Sequence, residues 1–206
     1  MHIPDGMITG YPLIIYAAVA IILLAIIFYK SKDQLDEKSI PMIALFVVAT
    51  VIVQMIELPL PVAACVHVSL ITILALYDLR TSMIVYMFVT IIQAFFGEGG
   101  ISTLGVNLLN LAILAPIIAY GIYKLLHKIN RDVALFISGF GTITLLGLIA
   151  SIEYAIAGTF PITYGLTIIV PVEAGVGVLE GAVTIIVMRA LKSLKPELVP
   201  VMSDDN

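Results

Sequence analysis

The amino-acid sequence predicts an all-α integral membrane protein of seven transmembrane helices, with the N-terminus outside the cell and the C-terminus in the cytoplasm. The first observation behind this prediction is composition. Of 206 residues, 61% are hydrophobic and 12% are charged, against about 45–50% and about 25% in soluble domains. The second observation is a series of long charge-free runs, and the third is the distribution of the basic residues. A chain this apolar has too few polar groups to cover a water-facing surface.

Charge-free runs of roughly 20 residues mark the helices, since this length spans the hydrocarbon core of a bilayer. Five such runs precede Asp132. The stretch from Asp132 to Arg189 is too long for one crossing, and Gly158, Pro161 and Gly165 interrupt it, so it predicts two helices. The whole chain, 1–206, forms one transmembrane domain whose predicted helices cover residues 11–29, 41–57, 61–78, 81–97, 102–124, 133–155 and 166–190.

The basic residues set the orientation of these helices, because short cytoplasmic loops collect lysine and arginine. If the N-terminus lies outside, all ten basic residues fall in the inner segments and none in the outer ones. The inner segments are 30–40, 78–81, 124–132 and the tail from 189. This distribution supports both the number of helices and their direction. The formal net charge of −4 offers no basic patch, which excludes nucleic-acid binding as the main function.

The first two residues, Met1 and His2, form a compact metal chelator when the α-amine is free. We expect a free amine, because the sequence lacks signal-peptide features and a bulky His2 disfavours removal of the initiator Met1. The amine, the backbone nitrogen of His2 and Nδ1 of its ring then close two chelate rings in one plane. A fourth nitrogen would complete the square-planar arrangement that Ni(II) and Cu(II) prefer. The alternative is a frayed and exposed chain end.

His67 is a candidate for that fourth nitrogen, since it lies inside an apolar run whereas His127 lies in a basic inner loop. A histidine buried in a membrane segment is costly and marks a functional site by default. Pro59 and Pro61 delay the start of the third helix, so we expect His67 a short way in from the outer face, within reach of the N-terminus. A hydrogen bond from its ring to a neighbouring helix carbonyl is the alternative interpretation.

A cluster of polar residues is expected at the outer ends of the fourth and fifth helices. The glycine-rich segment Phe96 to Asn107 predicts an irregular loop, which exists at membrane depth only when it is buried in protein or lines a cavity. The polar residues either support a metal site from outside its ligands or join helices by hydrogen bonds. They are Gln93, Glu98, Asn107 and Asn110. On the last helix, Glu173 and Glu180 are seven residues apart and share a face directed into the bundle.

Four motifs spread over nearly the whole chain carry a resemblance to a known family. They are Met1-His2-Ile3-Pro4-Asp5-Gly6, Gln93-Ala94 with the loop Phe-Gly-Glu-Gly-Gly-Ile-x-Thr-Leu-Gly-x-Asn, Ala112-x-x-x-Pro116, and Glu180-Gly181. Together they resemble the substrate-capture membrane subunit, or S component, of energy-coupling-factor transporters for cobalt and nickel, the CbiM/NikM family. The chain departs from the family around His67, which follows an apolar stretch instead of a turn rich in Gly, Ser and Thr.

The resemblance implies a six-helix S-component core with an added N-terminal helix that delivers the start of the chain into the site. It implies transport of Ni2+ or Co2+ without a cofactor and without catalysis. The ion is then held by the amine of Met1, the backbone and side chain of His2, and His67. The implied partners are a transmembrane coupling subunit and paired cytoplasmic ATPases, with room for a small accessory membrane subunit, in the plasma membrane of a prokaryote.

Three other functions stay open. An S component for a small organic solute needs a roomy polar or aromatic pocket. An intramembrane enzyme needs a nucleophile and a base, and the sequence has neither an HExxH helix nor a Ser or Asp dyad with helical spacing. A structural or assembly subunit would leave the polar outer cluster without a role. Metal analysis of the purified protein separates these functions from metal capture.

Overall fold

The computed structural model describes residues 2–32, 35–37, 39–56, 58–59 and 65–202. Within these residues the chain forms seven helices and a pair of two-residue strands. The helices are α1 Tyr11–Ser31, α2 Ser39–Gln54, α3 Ile71–Tyr77, α4 Leu79–Phe95, α5 Leu104–Leu126, α6 Arg131–Ala157 and α7 Ile162–Leu194. The strands are β1 Leu58–Pro59 and β2 Cys65–Val66, and the 3₁₀ turns Pro196–Leu198 and Pro200–Met202 follow α7.

Four of the described helices, α1, α5, α6 and α7, are long and apolar enough to cross a bilayer. The apolar helices α2 and α4 have 16 and 17 residues, slightly fewer than the about 20 of a typical crossing. α3 has 7 residues and is too short to span. Over the described residues, the predicted all-α fold with seven helices is confirmed. α3 does not span as a helix by itself, and the crossing of the segment that contains it stays a prediction. The orientation of the termini stays a prediction.

The third predicted helix, 61–78, is helical over Ile71–Tyr77, and residues 60–64 lie outside the described part. Cys65–Val66 pairs with Leu58–Pro59 as an antiparallel strand, and residues 67–70 have no regular structure. Leu70 has a φ of +60°, a left-handed conformation that is costly for a residue with a β-carbon. This conformation prevents α3 from extending backwards. His67 therefore lies on an extended segment, not on a helix as predicted.

α6 and α7 pack closely because glycines line their interface. A β-carbon on Gly139 would lie 2.8 Å from Cα of Gly181, and one on Gly177 would lie 2.7 Å from the carbonyl oxygen of Phe140. Small residues let helix backbones approach each other in lipid, where no hydrophobic force drives the helices together. The close contact fixes α7, which carries Glu180, against the rest of the bundle.

α1 lies at the edge of the bundle. It packs against the start of α5 so closely that a β-carbon on Gly105 would lie 2.5 Å from Cα of Ala17. Its Ile14, Ile21 and Ile22 are 58–67% exposed, which fits side chains that face lipid. The chain before α1, residues 2–10, leads back into the bundle and brings His2 to its interior.

Candidate metal centre

Residues 2–8 are held against the bundle by hydrogen bonds to α5 and to the residue that precedes it. The N–H of Ile3 donates to Oδ1 of Asn107 at 2.8 Å, and its carbonyl accepts from Nδ2 of Asn107 at 3.0 Å. The hydroxyl of Thr103 donates to the same carbonyl at 2.6 Å. The side chains of Ile3 and Ile8 are fully buried, and each such burial stabilises the docked segment by about 1.5–3 kcal/mol. From His2 onward the chain end is an ordered part of the fold.

A second set of bonds joins this segment to the glycine-rich loop. The carboxylate of Asp5 accepts from the N–H and the hydroxyl of Ser102 at 2.7 and 2.5 Å, and from the N–H of Ile101 at 3.2 Å. The bonds from Ser102 in particular hold the pKa of Asp5 below its usual value. A β-carbon on Gly100 would lie 2.5 Å from the backbone nitrogen of Asp5, so the close approach requires glycine there.

His2, His67 and Glu98 converge beneath this loop. Nε2 of His67 lies 2.7 Å from Oε1 of Glu98, and Nδ1 of His2 lies 3.5 Å from the same oxygen. The centroids of the two imidazole rings are 5.9 Å apart. The side chains of the histidines are 8% and 9% exposed and that of Glu98 is 23% exposed. The structure thus brings the two predicted histidines together and adds a carboxylate that contacts both.

Burial and mutual contact set the charges at this site. Loss of hydration, with the nearby His67, lowers the pKa of His2 to about 3, so that its ring is neutral at pH 7. Burial raises the pKa of Glu98, but the interactions led by its hydrogen bond with His67 outweigh burial, and the pKa is lowered. At neutral pH the site therefore presents a neutral His2 imidazole, the form that binds metals, next to an ionised carboxylate.

Buried amides extend from the site into the bundle. Nε2 of Gln93 donates to Oε2 of Glu98 at 2.8 Å and to Oε1 of Gln54 at 2.6 Å. Nε2 of Gln54 donates to the carbonyl of Ser69 at 2.8 Å and to the hydroxyl of Tyr86 at 2.9 Å. Buried hydrogen-bond networks of this kind fix the orientation of their members. The carboxylate of Glu98 is thereby held in place from the side opposite the histidines.

Ser69, two residues after His67, is bound by α7. Its N–H and its hydroxyl donate to the two carboxylate oxygens of Glu180 at 2.7 and 2.8 Å. Glu180 is 1% exposed, and the hydroxyl of Tyr86 donates to the carbonyl of Ser69. These bonds hold the extended segment that carries His67.

The structure brings most of the predicted polar cluster to the site or to the N-terminal segment. Gln93 and Glu98 lie beside the histidines, and Asn107 binds the backbone of Ile3. Asn110 instead donates to Glu153 of α6 at 2.8 Å. Met1, predicted as a ligand, lies outside the described residues.

Three residues of the site were not found by the sequence analysis, namely Gln54, Ser69 and Tyr86. Gln54 had a usable signal, because a glutamine within an apolar membrane helix needs a polar partner. Ser69 had none, since the interruption of the third helix was not predicted. A tyrosine in a membrane helix such as Tyr86 is common enough to carry no signal by itself.

The arrangement can hold a metal ion. Within the described ranges, His2, His67 and Glu98 form a group in which one ligand atom from each lies within 4.8 Å of the other two. Imidazole nitrogen and carboxylate oxygen suit divalent ions of the first transition row. The hydrogen-bonded segment 3–8, which follows His2, holds this histidine at the site.

Comparison with known proteins gives consistent matches. The sequence model of one family, described as "Cobalt uptake substrate-specific transmembrane region", matches residues 2–198. A protein of Archaeoglobus fulgidus, provisionally named a fused nickel transport protein, is 29% identical over 97% of this chain and 68% of its own length. A provisionally named metal transport protein of Methanocaldococcus jannaschii is 30% identical over 96% of this chain and 94% of its own. A cobalt transport protein of Lachnoclostridium phytofermentans is 26% identical over 94% and 82%.

Two solved structures have the same fold. The crystal structure of a transition metal transporter superposes with a TM-score of 0.84 at 25% identity, over 94% of this chain and 93% of the other. That of a truncated transition metal transporter gives a TM-score of 0.83, also at 25% identity, over 94% and 99%.

Proposed function

The chain belongs to the cobalt uptake substrate-specific transmembrane family, whose members are membrane transport proteins and not enzymes, and from this premise we propose that it captures Ni2+ or Co2+ with high affinity. Capture takes place at the outer face of a prokaryotic plasma membrane, where the chain acts as the S component of an energy-coupling-factor transporter. A transmembrane coupling subunit and paired cytoplasmic ATPases then drive uptake of the ion. The S component itself carries out no chemistry.

The convergence of His2, His67 and Glu98 carries this proposal. Two buried imidazoles and a carboxylate whose ligand atoms lie within 4.8 Å of one another are expensive to keep inside a membrane protein. A divalent transition metal ion is a substrate that all three side chains can bind. The site is small and polar, which favours an ion over an organic solute.

We assign four nitrogen donors to the ion. They are the α-amine of Met1, the backbone nitrogen and Nδ1 of His2, and Nε2 of His67. Two observations support the assignment of the ring nitrogens: both lie next to Oε1 of Glu98, at 3.5 and 2.7 Å, and burial keeps the ring of His2 neutral. Four nitrogens in a plane suit Ni(II), while Co(II) accepts the same donors.

The anchoring of residues 2–8 explains how a chain end gives high affinity. Hydrogen bonds at Ile3 and Asp5 hold the chelating end at a fixed depth in the bundle. A chelator that is already ordered loses less conformational entropy when the ion binds than a free chain end does. In this proposal α1, at the edge of the bundle, is the helix added to the six-helix S-component core, and it positions the segment that precedes it.

The metal content of the purified protein tests the proposal. Protein that begins at Met1 is equilibrated in detergent with Ni2+ or Co2+, desalted and examined by mass spectrometry for bound metal. We expect about one ion per chain for the wild type and none for His2→Ala. His127→Ala is the matched control, because this ring stacks on Tyr123 and binds the carbonyl of Lys124 at the far end of α5.

Three results would contradict the proposal. The first is full retention of the ion by His2→Ala, and the second is an equal loss in His127→Ala. The third is a wild-type protein that retains neither ion. Retention of an organic solute in place of a metal would favour an S component for a different substrate.

A further inference from the structure

Building on the proposed function, we propose that Glu98 is a further metal-contacting residue, which supplies an oxygen donor and a compensating negative charge and favours Co2+ relative to Ni2+. The sequence predicts that Glu98 supports the metal site from outside the ligands of the ion. The structure puts its carboxylate closer to the donor atoms than that role requires.

The position of Oε1 of Glu98 is the first observation behind this inference. The oxygen lies 2.7 Å from Nε2 of His67 and 3.5 Å from Nδ1 of His2, the same two atoms that are assigned to the ion. An ion bound to both nitrogens at about 2 Å therefore lies beside this oxygen. At these distances no other protein group fits between the carboxylate and the ion.

The orientation of the carboxylate is the second observation. Nε2 of Gln93 holds the other oxygen, Oε2, at 2.8 Å, and the N–H of Glu98 donates to the carbonyl of Gln93 at 3.0 Å. Gln93 is held in turn by Gln54 at 2.6 Å. Both the backbone and the side chain of Glu98 are thus fixed with Oε1 directed at the histidines. A fixed donor loses little entropy when the ion arrives.

Charge balance is the third argument. A divalent ion held by a neutral amine, two neutral imidazoles and one deprotonated backbone nitrogen keeps a net charge of +1. A buried charge is costly unless an opposite charge lies close to it. Glu180 is bound to Ser69, and Glu153 accepts from Asn110. Among the described residues, Glu98 is the carboxylate in direct contact with both histidines, and it brings the loaded site to neutrality.

The preference between ions follows from the number of donors. Four nitrogens in a plane satisfy Ni(II), which is stable in square-planar geometry. Co(II) has no comparable preference for four ligands in a plane and accepts further ones, so an oxygen outside the nitrogen plane strengthens cobalt binding more than nickel binding. Loss of the carboxylate is therefore expected to weaken the binding of both ions through the lost charge, and that of Co2+ further through the lost donor.

Glu98→Gln tests the inference, since glutamine has the same size and its carbonyl still accepts from Gln93. The control is Glu153→Gln, which alters a buried carboxylate that does not contact the histidines. Affinities for Ni2+ and Co2+ are measured by competition with a chelator, and the visible spectrum of bound Co2+ reports its coordination. We expect Glu98→Gln to weaken Co2+ binding about 100-fold and Ni2+ binding about 10-fold and to change the Co2+ spectrum. Glu98→Ala is expected to do at least as much, and Glu153→Gln to change neither affinity.

Each of the following five results overturns the inference. Unchanged affinities in Glu98→Gln and Glu98→Ala would show that the carboxylate does not act on the ion. Tighter binding would show that it competes with the ion for the histidines. An equal loss for both ions with an unchanged Co2+ spectrum would remove the donor role and the preference. If His2→Ala loses the ion while Glu98→Gln keeps it, the inference fails and the proposed function stands, whereas a wild type that binds neither ion defeats both.

Discussion

Asn107→Ala is expected to release the N-terminal segment from the bundle without unfolding the helices. Asn107 binds both the N–H and the carbonyl of Ile3, at 2.8 and 3.0 Å. Thr103 still reaches the carbonyl in the variant, but the buried N–H of Ile3 is left without its partner. An unpaired buried N–H costs about 1–3 kcal/mol and the second lost bond about 0.5–1.5 kcal/mol. The docked segment is thus destabilised by about 1.5–4.5 kcal/mol, which makes its release about 10-fold to 1,600-fold more frequent.

Hydrogen exchange of the segment 2–8, measured by mass spectrometry, reports this release, because protection falls as the open population rises. Protection of the Ile3 amide is expected to drop by the same factor, about 10-fold to 1,600-fold. Asn110→Ala is the matched control, since it removes the same type of side chain three residues later, where the partner is Glu153. Unchanged protection in Asn107→Ala, or an equal loss in both variants, would refute the role of Asn107 as the anchor of the segment.

The other predictions concern His67, Gly100 and the effect of pH. His67→Ala is expected to insert normally, because an imidazole is costly in a membrane segment. It should bind the ion at least about tenfold more weakly by calorimetry; unchanged affinity would mean that another group supplies the fourth donor in the plane of the ion. Gly100→Ala puts a β-carbon 2.5 Å from the backbone nitrogen of Asp5, so the segment 2–8 should lose its exchange protection and the protein its ion; wild-type values for both would contradict the packing argument. Affinity should rise with pH, since binding releases a proton from the amine, whose unperturbed pKa is about 7.7–8.0, and one from the backbone nitrogen of His2. The ring of His2, with a pKa of about 3, is already neutral and adds no proton. The two released protons therefore give a rise of about 100-fold per pH unit between pH 5 and 7; a flat chelator-competition profile would exclude the nitrogen chelate.

The helices were predictable because contact with lipid demands length and apolar composition, both of which are visible in the sequence. The interruption of the third one was not. An apolar run has the same composition whether it forms a helix or an irregular segment. Here a contact between residues far apart in the sequence determines which of the two forms. Ser69 donates to Glu180, 111 residues further along the chain, and Leu70 takes a left-handed conformation. Neither the contact nor the backbone conformation is signalled by the residues next to it in the sequence.

The two histidines of the candidate site were predictable for different reasons. His2 stands next to an α-amine and can form a chelate with it, and a histidine inside an apolar run, such as His67, is rare unless it has a function. The place of Glu98 was not, since it depends on how the loop folds: Gly97 and Gly99 turn the chain with φ values of +84° and +87°. Asn107 and Asn110 were expected on one helix face from their spacing. A π-helical stretch, Leu108–Leu114, begins between them, and the two side chains bind different elements. Such stretches change the helical register and often lie near functional sites.

A chain extended by five residues ahead of Met1 tests the central claim most directly. The extension turns the amine of Met1 into an amide and leaves every other proposed donor unchanged, and it is long enough that the new terminal amine cannot form a planar chelate with His2, as the amine of a single added residue could. The affinities of the extended and the unextended protein for Ni2+ and Co2+ are compared by chelator competition, with the melting temperature of the metal-free proteins as a control for folding. We expect the extended protein to lose stoichiometric binding of both ions, to melt at the same temperature, and to regain binding when the extra residues are removed by a protease. An extended protein that holds either ion with the affinity of the unextended one would contradict capture of the metal by the start of the chain.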